Sequence, residues 1–296
     1  MTFSLKPWAL LLVLLLFVGL SLGGPATVFN ENFVPVWCAD GYHLANHGTQ
    51  VSLTMDRNSG AGFSSKMMYG SGLFHMRIKI PAGYTAGVVT AFYLTTQPEY
   101  GDHDEVDFEF LGNVDGKPVA LQTNIFLNGQ GYREQKFYLW FDPSAAVHDY
   151  KILWNQHQLV IYQVHINHKM LVDETPIRVL KNLPGRTPGY QFPSRPMKIR
   201  ASIWDGSSWA TDNGNIRVDW NRAPFTSAFQ RFNVDACPAT RGAPCGSPNL
   251  WWNKFHDLTP VQKEAYKNVK SKYMTYNYCD DKGRSNLHLP GECIYN

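Results

Sequence analysis

The sequence carries little net charge for its length: 27 Lys and Arg residues are set against 24 Asp and Glu residues, which leaves +3 at pH 7. It has no basic patch interleaved with aromatic residues, the pattern that a nucleic-acid-binding surface needs. A convincing internal repeat and a low-complexity linker are also lacking. Nucleic acid is therefore not expected as a partner, and 296 residues suit one large β domain with an extension.

Long apolar runs are absent except at the N-terminus. Lys6 precedes a nearly continuous run of Leu, Val and Phe between Ala9 and Val18, and small residues follow up to Gly24. That order is typical of a secretory signal, so residues 1–24 are predicted to be a signal peptide. The run is too short for a confident membrane span, and a retained anchor is the alternative interpretation. The mature chain is expected to be soluble, exported and free of the membrane.

Cysteine is nearly absent from the first three quarters of the chain, where only Cys38 lies. In an exported chain, late and clustered cysteines indicate disulfides, and four of them permit three pairings. Their spacing does not suit a zinc ribbon, and His165 and His168 have no partner ligands in view, so no metal site is predicted. The four late cysteines are Cys237, Cys245, Cys279 and Cys293.

Three acidic residues in the middle of the chain alternate with apolar residues. Glu105, Asp107 and Glu109 are separated by Val and Phe, and a period of two predicts a β-strand with one buried face. The carboxylates then stand in a row on the other face. Residues four apart on a strand have Cα atoms roughly 13 Å apart, and two Glu side chains leaning together leave about 6 Å between carboxylates. Retaining glycosidases use about 5–5.5 Å and inverting ones about 6.5–9.5 Å, so the spacing allows a catalytic pair and leaves the stereochemistry open.

This acidic row has two other interpretations. A solvated acidic face explains it poorly, because same-face neighbours two residues apart repel and no Lys or Arg is interleaved. A calcium site would use the oxygen atoms, but a straight strand lacks the looped spacing that wraps the cation. Glycosidase chemistry explains it better, since one carboxylate attacks a sugar while another handles the proton. Asp104 has the wrong parity for the acidic face and is left out of the catalytic set.

Residues from Phe29 to about Phe232 read as many short strands. Alternating or fully apolar runs are broken by Gly and Pro turns, which predicts a β-sandwich. Aromatic residues make up 14% of the chain, and both a large β core and sugar-stacking platforms would use them. The predicted strands include Val51–Met55, Leu73–Ile80, Gly87–Leu94, Leu121–Phe126, Lys136–Phe141, Tyr150–Trp154 and Met197–Trp204.

The stretch 103–113, His-Asp-Glu-Val-Asp-Phe-Glu-Phe-Leu-Gly-Asn, resembles the active-site signature of the plant xyloglucan endotransglucosylase/hydrolases, a branch of glycoside hydrolase family 16. The resemblance extends over nearly the whole mature chain. It implies a β-jelly roll whose concave sheet forms an open sugar-binding cleft. It also implies that Glu105 is the nucleophile, Glu109 the general acid/base, and Asp107 the residue that orients the nucleophile by hydrogen bonding. The negative neighbours Glu105 and Asp107 are expected to raise the pKa of Glu109.

The same resemblance implies a set of sugar-binding residues. Gln122 and Asn124 share a strand face, and their amides suit sugar hydroxyls because both groups donate and accept; a solvated polar face is the alternative. Trp204 and Trp209 lie in a polar, Gly-containing segment where core packing explains them poorly. Trp209 is expected to be an acceptor-side platform, whereas Trp204 alternatively packs beneath the nucleophile strand. The set is completed by Arg133, Glu134 and Gly214.

The sequence departs from the family pattern at several positions. Tyr132 stands where Asp is usual, and Asp212-Asn213 replaces a common Arg-Gly, which removes a positive charge beside the cleft. Cys38 stands where Gly is usual and is either a buried free thiol or a reactive one. No N-glycosylation sequon is present. Residues 163–171 resemble an insertion, which is either a longer hairpin or an error in the gene model.

A shift in composition at Ala236 toward Cys, Pro and Gly separates two regions. Residues 25–235 are expected to form the β-jelly-roll catalytic domain. Residues 236–296 are expected to form a C-terminal extension of the kind that separates these plant enzymes from bacterial β-glucanases. The resemblance implies the disulfides Cys237–Cys245 and Cys279–Cys293 and places the extension on the acceptor side of the cleft.

Two elements are predicted within the extension. Thr259 is a plausible N-cap and Pro260 suits the first helical position, so a helix is expected from there to roughly Lys272. The segment Tyr276–Cys279 is predicted to form an edge strand.

The expected function is that of a secreted enzyme of the cell wall or apoplast. The resemblance implies a retaining transglycosylase that cleaves the β-1,4-glucan backbone of xyloglucan through a covalent glycosyl-enzyme and transfers it to another xyloglucan chain. It implies no metal and no organic cofactor, and the protein is expected to be a monomer. An endo-hydrolase of xyloglucan or another β-glucan is the alternative within enzymes. A non-catalytic carbohydrate-binding protein is the alternative of another class, although three adjacent acids facing a neutral sugar argue against it.

Overall fold

A computed structural model describes residues 27–96, 101–166, 172–183, 190–281, 283 and 290–295. The predicted signal peptide and the loop part of the predicted 163–171 insertion lie outside these residues. Across the described ranges, no helix has the length and apolar character that crossing a membrane requires.

The described residues form sixteen strands and two α-helices, so the predicted all-β class is confirmed. The helices are α1 (Phe29–Asn32) and α2 (Pro260–Lys272). The strands are β1 (Phe33–Trp37), β2 (Tyr42–Ala45), β3 (Gln50–Met55), β4 (Ala61–Ser65), β5 (Tyr69–Lys79), β6 (Val88–Thr95), β7 (Glu105–Leu111), β8 (Ala120–Phe126), β9 (Gln135–Tyr138), β10 (His148–Trp154), β11 (Gln158–Ile166), β12 (Val172–Lys181), β13 (Lys198–Asp205), β14 (Phe225–Gln230), β15 (Asp235–Pro238) and β16 (Met274–Asn277).

The strands assemble into two facing antiparallel sheets. The first, called the cleft sheet below, has the order β1-β4-β13-β6-β7-β8-β9-β16. The second, called the back sheet, has the order β12-β11-β10-β5-β14-β3-β2, and β15 pairs with the early part of β5. The acidic strand β7 is therefore an interior strand of the cleft sheet, between β6 and β8.

Apolar residues on the inner face of β7 hold the two sheets together. Val106, Phe108 and Phe110 are at most 2% exposed, as the alternation predicts. The rings of Phe108 and Phe110 lie with their centroids 5.0 and 5.1 Å from that of Tyr150 on β10 of the back sheet. Aromatic contacts of this geometry stabilise a core beyond the burial of apolar area. One face of β7 is thus fixed by packing, which leaves its other face to carry the acids.

Strand β9 is shorter than the sequence predicts, because it ends at Tyr138 instead of Phe141. Trp140 leaves the sheet to pack against Tyr273, with ring centroids 5.2 Å apart. The chain then turns at Asp142, whose carboxylate accepts hydrogen bonds from the backbone N–H and the hydroxyl of Ser144. Tertiary packing and a local side-chain cap therefore override the strand propensity of the Leu-Trp-Phe run.

The C-terminal extension is attached to both sheets. Helix α2 is contacted by β12 and begins as predicted: the Thr259 hydroxyl accepts from the Gln262 backbone N–H at 3.2 Å, and the Gln262 side chain accepts from the Thr259 N–H at 3.0 Å. Strand β16 pairs with β9 at the edge of the cleft sheet, two residues earlier than predicted. The disulfides are the expected pairs, Cys237–Cys245 and Cys279–Cys293.

Cys38 is a free, partly buried cysteine. Its backbone has a φ of 49°, in the left-handed region that Gly adopts without strain and other residues rarely enter. The Cys side chain is therefore accommodated with backbone strain, which a Gly at this position would avoid.

Candidate active site

The three carboxylates of β7 lie on the cleft face of the sheet, and each is flanked by a residue of β6 and one of β8. Asp107 is opposite Asn124 of β8, and Glu109 is opposite Gln122 of the same strand. Opposed residues of antiparallel strands point to the same face. The strict period of two therefore brings acids and amides together, as the sequence predicts.

The cleft above this face has a volume of about 450 Å³. Most of the predicted site residues line it: Glu105, Glu109, Asp107, both amides, Glu134 and both Trp. The full lining is Ala91, Tyr93, Glu105, Asp107, Glu109, Gln122, Asn124, Phe126, Glu134, Ser202, Trp204 and Trp209.

Glu109 holds its proton to an unusually high pH. Burial raises its pKa from 4.5 to about 7, and the carboxylates of Glu105 and Glu134 add to the rise. A hydrogen bond from the Gln122 amide, 2.8 Å from Glu109 Oε2, acts in the opposite direction. The upward shift in the pKa of Glu109 agrees with the sequence expectation. Its causes differ in part, because burial has the largest effect and Glu134, instead of Asp107, acts together with Glu105.

Asp107 is buried between the two Glu residues, at 7% exposure. Burial raises its pKa well above the ordinary value, and the charges of Glu105 and Glu109 and a hydrogen bond with Glu105 raise it further. Buried Arg178 opposes the rise. A protonated Asp107 is a hydrogen-bond donor to the Glu105 carboxylate, which is the contact that its predicted orienting role requires.

Asp104 points away from this face, as its parity predicts. It is buried, and its carboxylate accepts backbone N–H groups from Asn128, Ser194 and Arg195 at 3.1 to 3.3 Å. The side chain therefore fixes two loops beside the cleft.

The two amides of β8 have different hydrogen-bonding capacity left for a ligand. The Asn124 oxygen already accepts from the backbone N–H groups of Ile125 and Arg133, at 2.9 and 3.0 Å. Gln122 donates to Glu109. Both side chains are at most 6% exposed, so each works as a positioned group in the cleft wall.

Trp204 and Trp209 both line the cleft, and their ring centroids are 5.9 Å apart. They also pack on a small apolar cluster that includes Val89 and Leu111. Trp204 therefore both lines the cleft and packs against the sheet. Gly214 is not part of the lining. It has a φ of +87° and its Cα faces the Ser208 carbonyl, so it closes the turn that carries Trp209.

Arg133 is not brought to the cleft, in contrast to its neighbour Glu134. Its Nε lies 2.6 Å from a carboxylate oxygen of Glu292 in the C-terminal extension, and its Nη1 donates to the carbonyls of Gln130 and Gly131. The guanidinium is thus occupied by protein groups, and Arg133 positions the loop that carries Glu134.

A buried arginine that no sequence pattern marks lies behind β8. Arg178 on β12 is 2% exposed, its Nη1 donates to the backbone carbonyls of Thr123 and Arg133, and it lies 5.5 Å from the Tyr278 ring centroid. The Tyr278 hydroxyl donates to Glu292 at 3.2 Å. The extension therefore meets the site strands through a buried polar network.

Sequence reasoning also missed cleft residues on the strands beside β7. Ala91 and Tyr93 lie in a run that reads as apolar on both faces, and Ser202 alternates within β13. The alternation within β6 and β13 indicates which of their residues share a face. It does not indicate that these strands lie beside β7, because the sequence of a strand does not specify its neighbours in a sheet.

Comparisons with known proteins agree with this architecture. Residues 29–222 match the model of glycosyl hydrolases family 16, and residues 246–293 match that of the xyloglucan endo-transglycosylase (XET) C-terminus. Fold and match together define a jelly-roll member of the glycosyl hydrolases, as predicted.

Two curated relatives are similar over most of their length. Xyloglucan endotransglucosylase/hydrolase protein 2 of Arabidopsis thaliana is 47% identical over 281 residues, which cover 93% of this chain and 91% of the relative. Xyloglucan endotransglucosylase protein 34 of Populus tremula x Populus tremuloides is 42% identical over 297 residues, covering 97% and 96%. The chain belongs to the xyloglucan endotransglucosylase/hydrolase family.

Solved structures share the fold. A prokaryotic β-1,3-1,4-glucanase (lichenase) from a mouse hindgut metagenome has a TM-score of 0.50 and 25% identity, covering 70% of this chain and 86% of its own. The Bacillus licheniformis β-glucanase has a TM-score of 0.52 and 22% identity, covering 70% and 96%. The covered share leaves out about a third of this chain.

Proposed function

We propose that this protein is a retaining transglycosylase that cuts the β-1,4-glucan backbone of xyloglucan and transfers the cut chain to another xyloglucan molecule. The observation that carries the proposal is the β7 face, where Glu109, with its pKa raised to about 7, stands in line with Glu105 across a buried Asp107. Family membership supplies the substrate class.

In the first step, Glu105 is the nucleophile. Its carboxylate attacks the anomeric carbon of the donor, the bond from that carbon to the leaving glucan oxygen breaks, and Glu109 gives its proton to that oxygen. Neutral Glu109 near pH 6 is what this step needs.

In the second step, Glu109 is the general base. Its carboxylate takes the proton from an acceptor hydroxyl, the acceptor oxygen bonds to the anomeric carbon, and Glu105 is released as a carboxylate. A xyloglucan hydroxyl gives transfer, and water gives hydrolysis. The balance between them is set by how well an acceptor sugar competes with water for the cleft.

Asp107 acts on Glu105 through their hydrogen bond. When it donates a proton to that bond, it fixes the orientation of the attacking carboxylate and spares the cleft a third negative charge. Asp107 is therefore proposed as a positioning residue.

Sugar binding is assigned to the residues that line the cleft beside the carboxylates. Gln122 and Asn124 offer amides to hydroxyl groups, and Trp204 and Trp209 offer indole faces to the apolar faces of pyranose rings. Arg133 supports this set indirectly, through the loop that holds Glu134. The protein is proposed to work outside the cell, in the wall, where its substrate lies.

The test is a transfer assay with xyloglucan as donor and a labelled xyloglucan oligosaccharide as acceptor. Label is expected in long polymer with the wild type and to disappear in Glu105→Ala. Glu264→Ala, at an exposed position on α2, is the matched control and should transfer like the wild type. Wild-type-like turnover in Glu105→Ala would overturn the assignment.

The same assay separates the alternatives. Donor chains that shorten while no label enters polymer would identify a hydrolase that uses the same residues. Absence of both across xyloglucan, cellulose and mixed-linkage glucan, with binding retained, would identify a carbohydrate-binding protein instead.

A further inference from the structure

The ladder between β8 and β9 ends beside the carboxylates. Its last pair is Thr123 with Gln135, and β8 then continues to Phe126, whereas residues 131–134, which lead into β9, are not paired with it. Glu134 is the last residue of this segment and lines the cleft. Backbone groups that leave a ladder need other partners. The place of Glu134 in the cleft therefore depends on what holds the segment before β9.

Two side chains hold the backbone of residue 133 from opposite sides of the sheet. On the cleft side, the Arg133 N–H donates to the Asn124 side-chain oxygen at 3.0 Å. On the inner side, Nη1 of Arg178 donates to the Arg133 carbonyl at 2.5 Å. The same Nη1 lies 3.2 Å from the Thr123 carbonyl oxygen and 3.1 Å from its hydroxyl. Arg178 thus joins β8 to the segment that ends in Glu134, where the two chains separate.

Arg178 is a buried cation without a paired carboxylate. It is 2% exposed, and among the residues that the structure describes no carboxylate oxygen lies within 4.0 Å of its guanidinium. Glu292 of the extension pairs with Arg133 instead. Burial of an unpaired charge is costly, and the Tyr278 ring, whose centroid is 5.5 Å away, offsets only part of that cost. Stability alone therefore explains this arginine poorly.

The position of Glu134 matters for the titration of Glu109. Burial is the largest cause of the raised pKa of Glu109, and the negative charges of Glu105 and Glu134 add to it. The repulsion between two charges depends on the distance between them. Glu134 has a second tether, because its carbonyl accepts from the Tyr278 N–H at 3.1 Å. Loss of the Arg178 contact is therefore expected to displace Glu134 without releasing it.

Other titratable groups surround both side chains, so a test has to isolate the route through Glu134. The groups around Glu109 are Glu105 and Asp107 of β7, Lys136 of β9, Glu134, and Tyr93 of β6 in the same cleft, whereas those around Arg178 are Tyr266 of α2, Tyr278, Glu292, Arg133 and, across β8, Asp107.

We propose that Arg178 is a positioning residue for the proposed glycosyl transfer, which keeps Glu134 beside Glu109 by tying residue 133 to β8 from the inner side of the sheet. It acts without contacting the substrate. A lysine is a poor substitute, because an ammonium lacks the planar set of donors that reaches both chains. The inference rests on the proposed function only for the role of Glu109 as the acid.

The experiment measures the apparent pKa of Glu109 without substrate, by NMR titration of isotope-labelled glutamate carboxyl groups. Glu109→Gln identifies the resonance. The variants are Arg178→Lys, which keeps the charge, Glu134→Gln, and the two combined. Arg241→Lys, at an exposed position of the extension, is the matched control. The fall of kcat/KM at high pH, measured with a xyloglucan donor, is the second readout.

Glu134→Gln is expected to lower the apparent pKa of Glu109 by roughly half a pH unit, because it removes a neighbouring negative charge. Arg178→Lys should lower it by less, because Glu134 moves away. In the Glu134→Gln background, Arg178→Lys should lower it no further, since no charge remains at residue 134 to be displaced. The fall of kcat/KM should move to lower pH by matching amounts, and Arg241→Lys should change neither readout.

Thermal unfolding verifies that each variant folds. If Arg178→Lys does not fold, Thr123→Val takes its place, because it removes one acceptor of Arg178 and keeps every charge. It should lower the apparent pKa of Glu109 in the same direction, and again only when Glu134 is present.

An unchanged pKa of Glu109 in the folded variant would overturn the positioning role and leave Arg178 a structural residue. Equal lowering with and without Glu134 would also overturn it, because the effect would then run through another group. A wild type without turnover on any β-glucan would overturn the proposed function instead. The two failures are distinguishable because the titration needs no catalysis.

Discussion

Glu109 is the residue whose environment most directly sets the chemistry. Its pKa of about 7 means that about nine tenths of the molecules carry the proton at pH 6 and about one tenth at pH 8. The proposed first step, in which Glu109 is the general acid, needs that proton. The environment of Glu109 therefore agrees with the role proposed for it.

The first prediction concerns the pH dependence of this step. The value of kcat/KM should fall about tenfold per pH unit above pH 7, because the protonated acid is lost there. Steady-state rates with a xyloglucan donor measure it. An aryl glycoside with an acidic phenol as leaving group needs less proton donation. With this substrate, Glu109→Ala should still carry out the first step, and its kcat/KM should no longer fall above pH 7. A basic limb that persists in this variant would assign it to another group.

The second prediction concerns Asp107. Asp107→Leu removes the donor to Glu105 and should lower kcat by about 10- to 100-fold, the range for a hydrogen bond to a charged group. Asp107→Asn still donates and should keep more of the rate. Equal losses in the two variants would show that the proton of Asp107, and not its hydrogen bond, is what matters. Steady-state kinetics on one donor at fixed pH separates the cases.

At the scale of elements, strand parity was well predicted. Alternation in β7 and β8 placed acids and amides on one face because a strand has a strict period of two. The helix start at Thr259 was equally local, since its cap and its Pro are adjacent in sequence. Such features depend on residues within a few positions of one another.

Features that depend on distant partners were not predicted. The contact of Arg133 with Glu292 joins residues 159 apart, and no sequence pattern marks it. The effect of Glu134 on Glu109 depends likewise on β9 lying two strands from β7. The predicted end of β9 is wrong because Trp140 packs against Tyr273 of the extension.

The third prediction tests how the extension supports the site. Glu292 is 3% exposed and pairs with Arg133, so Glu292→Leu leaves a guanidinium without its carboxylate and should lower the free energy of unfolding by about 3–5 kcal/mol. Urea unfolding measures it. The double variant Arg133→Met, Glu292→Leu should recover part of the loss. Additive losses would instead mean that the two side chains do not stabilise each other.

At the scale of the whole molecule, the site opposes stability at neutral pH. In the unfolded chain Glu109 ionises near its ordinary pKa of 4.5, whereas the folded chain keeps the proton to about pH 7. Between these values the native state binds more protons, so stability falls as pH rises. Burial of the Glu109 carboxyl therefore costs stability at neutral pH, and the role proposed for Glu109 depends on the same burial.

The fourth prediction follows from this sign. Glu109→Gln should be more stable than the wild type at pH 8, by up to about 3 kcal/mol, and similar to it near pH 4. Denaturant unfolding at the two pH values measures the difference, and Glu264→Gln on exposed α2 is the control. If the free energy of unfolding varied with pH in the same way in the wild type and in Glu109→Gln, burial of Glu109 would not destabilise the native state.

The order of strands in the cleft sheet has a consequence for how the protein is made. One edge strand, β1, comes from the start of the folded chain, the other, β16, from near its end, and β13 must insert between β4 and β6. Until residue 277 has emerged during synthesis, β9 keeps an open edge that invites pairing with other chains. The cleft sheet therefore acquires its full set of strands late, after the residues of β16 have become free to pair. Its closure depends on pairing between segments that are far apart in sequence, and such contacts form slowly.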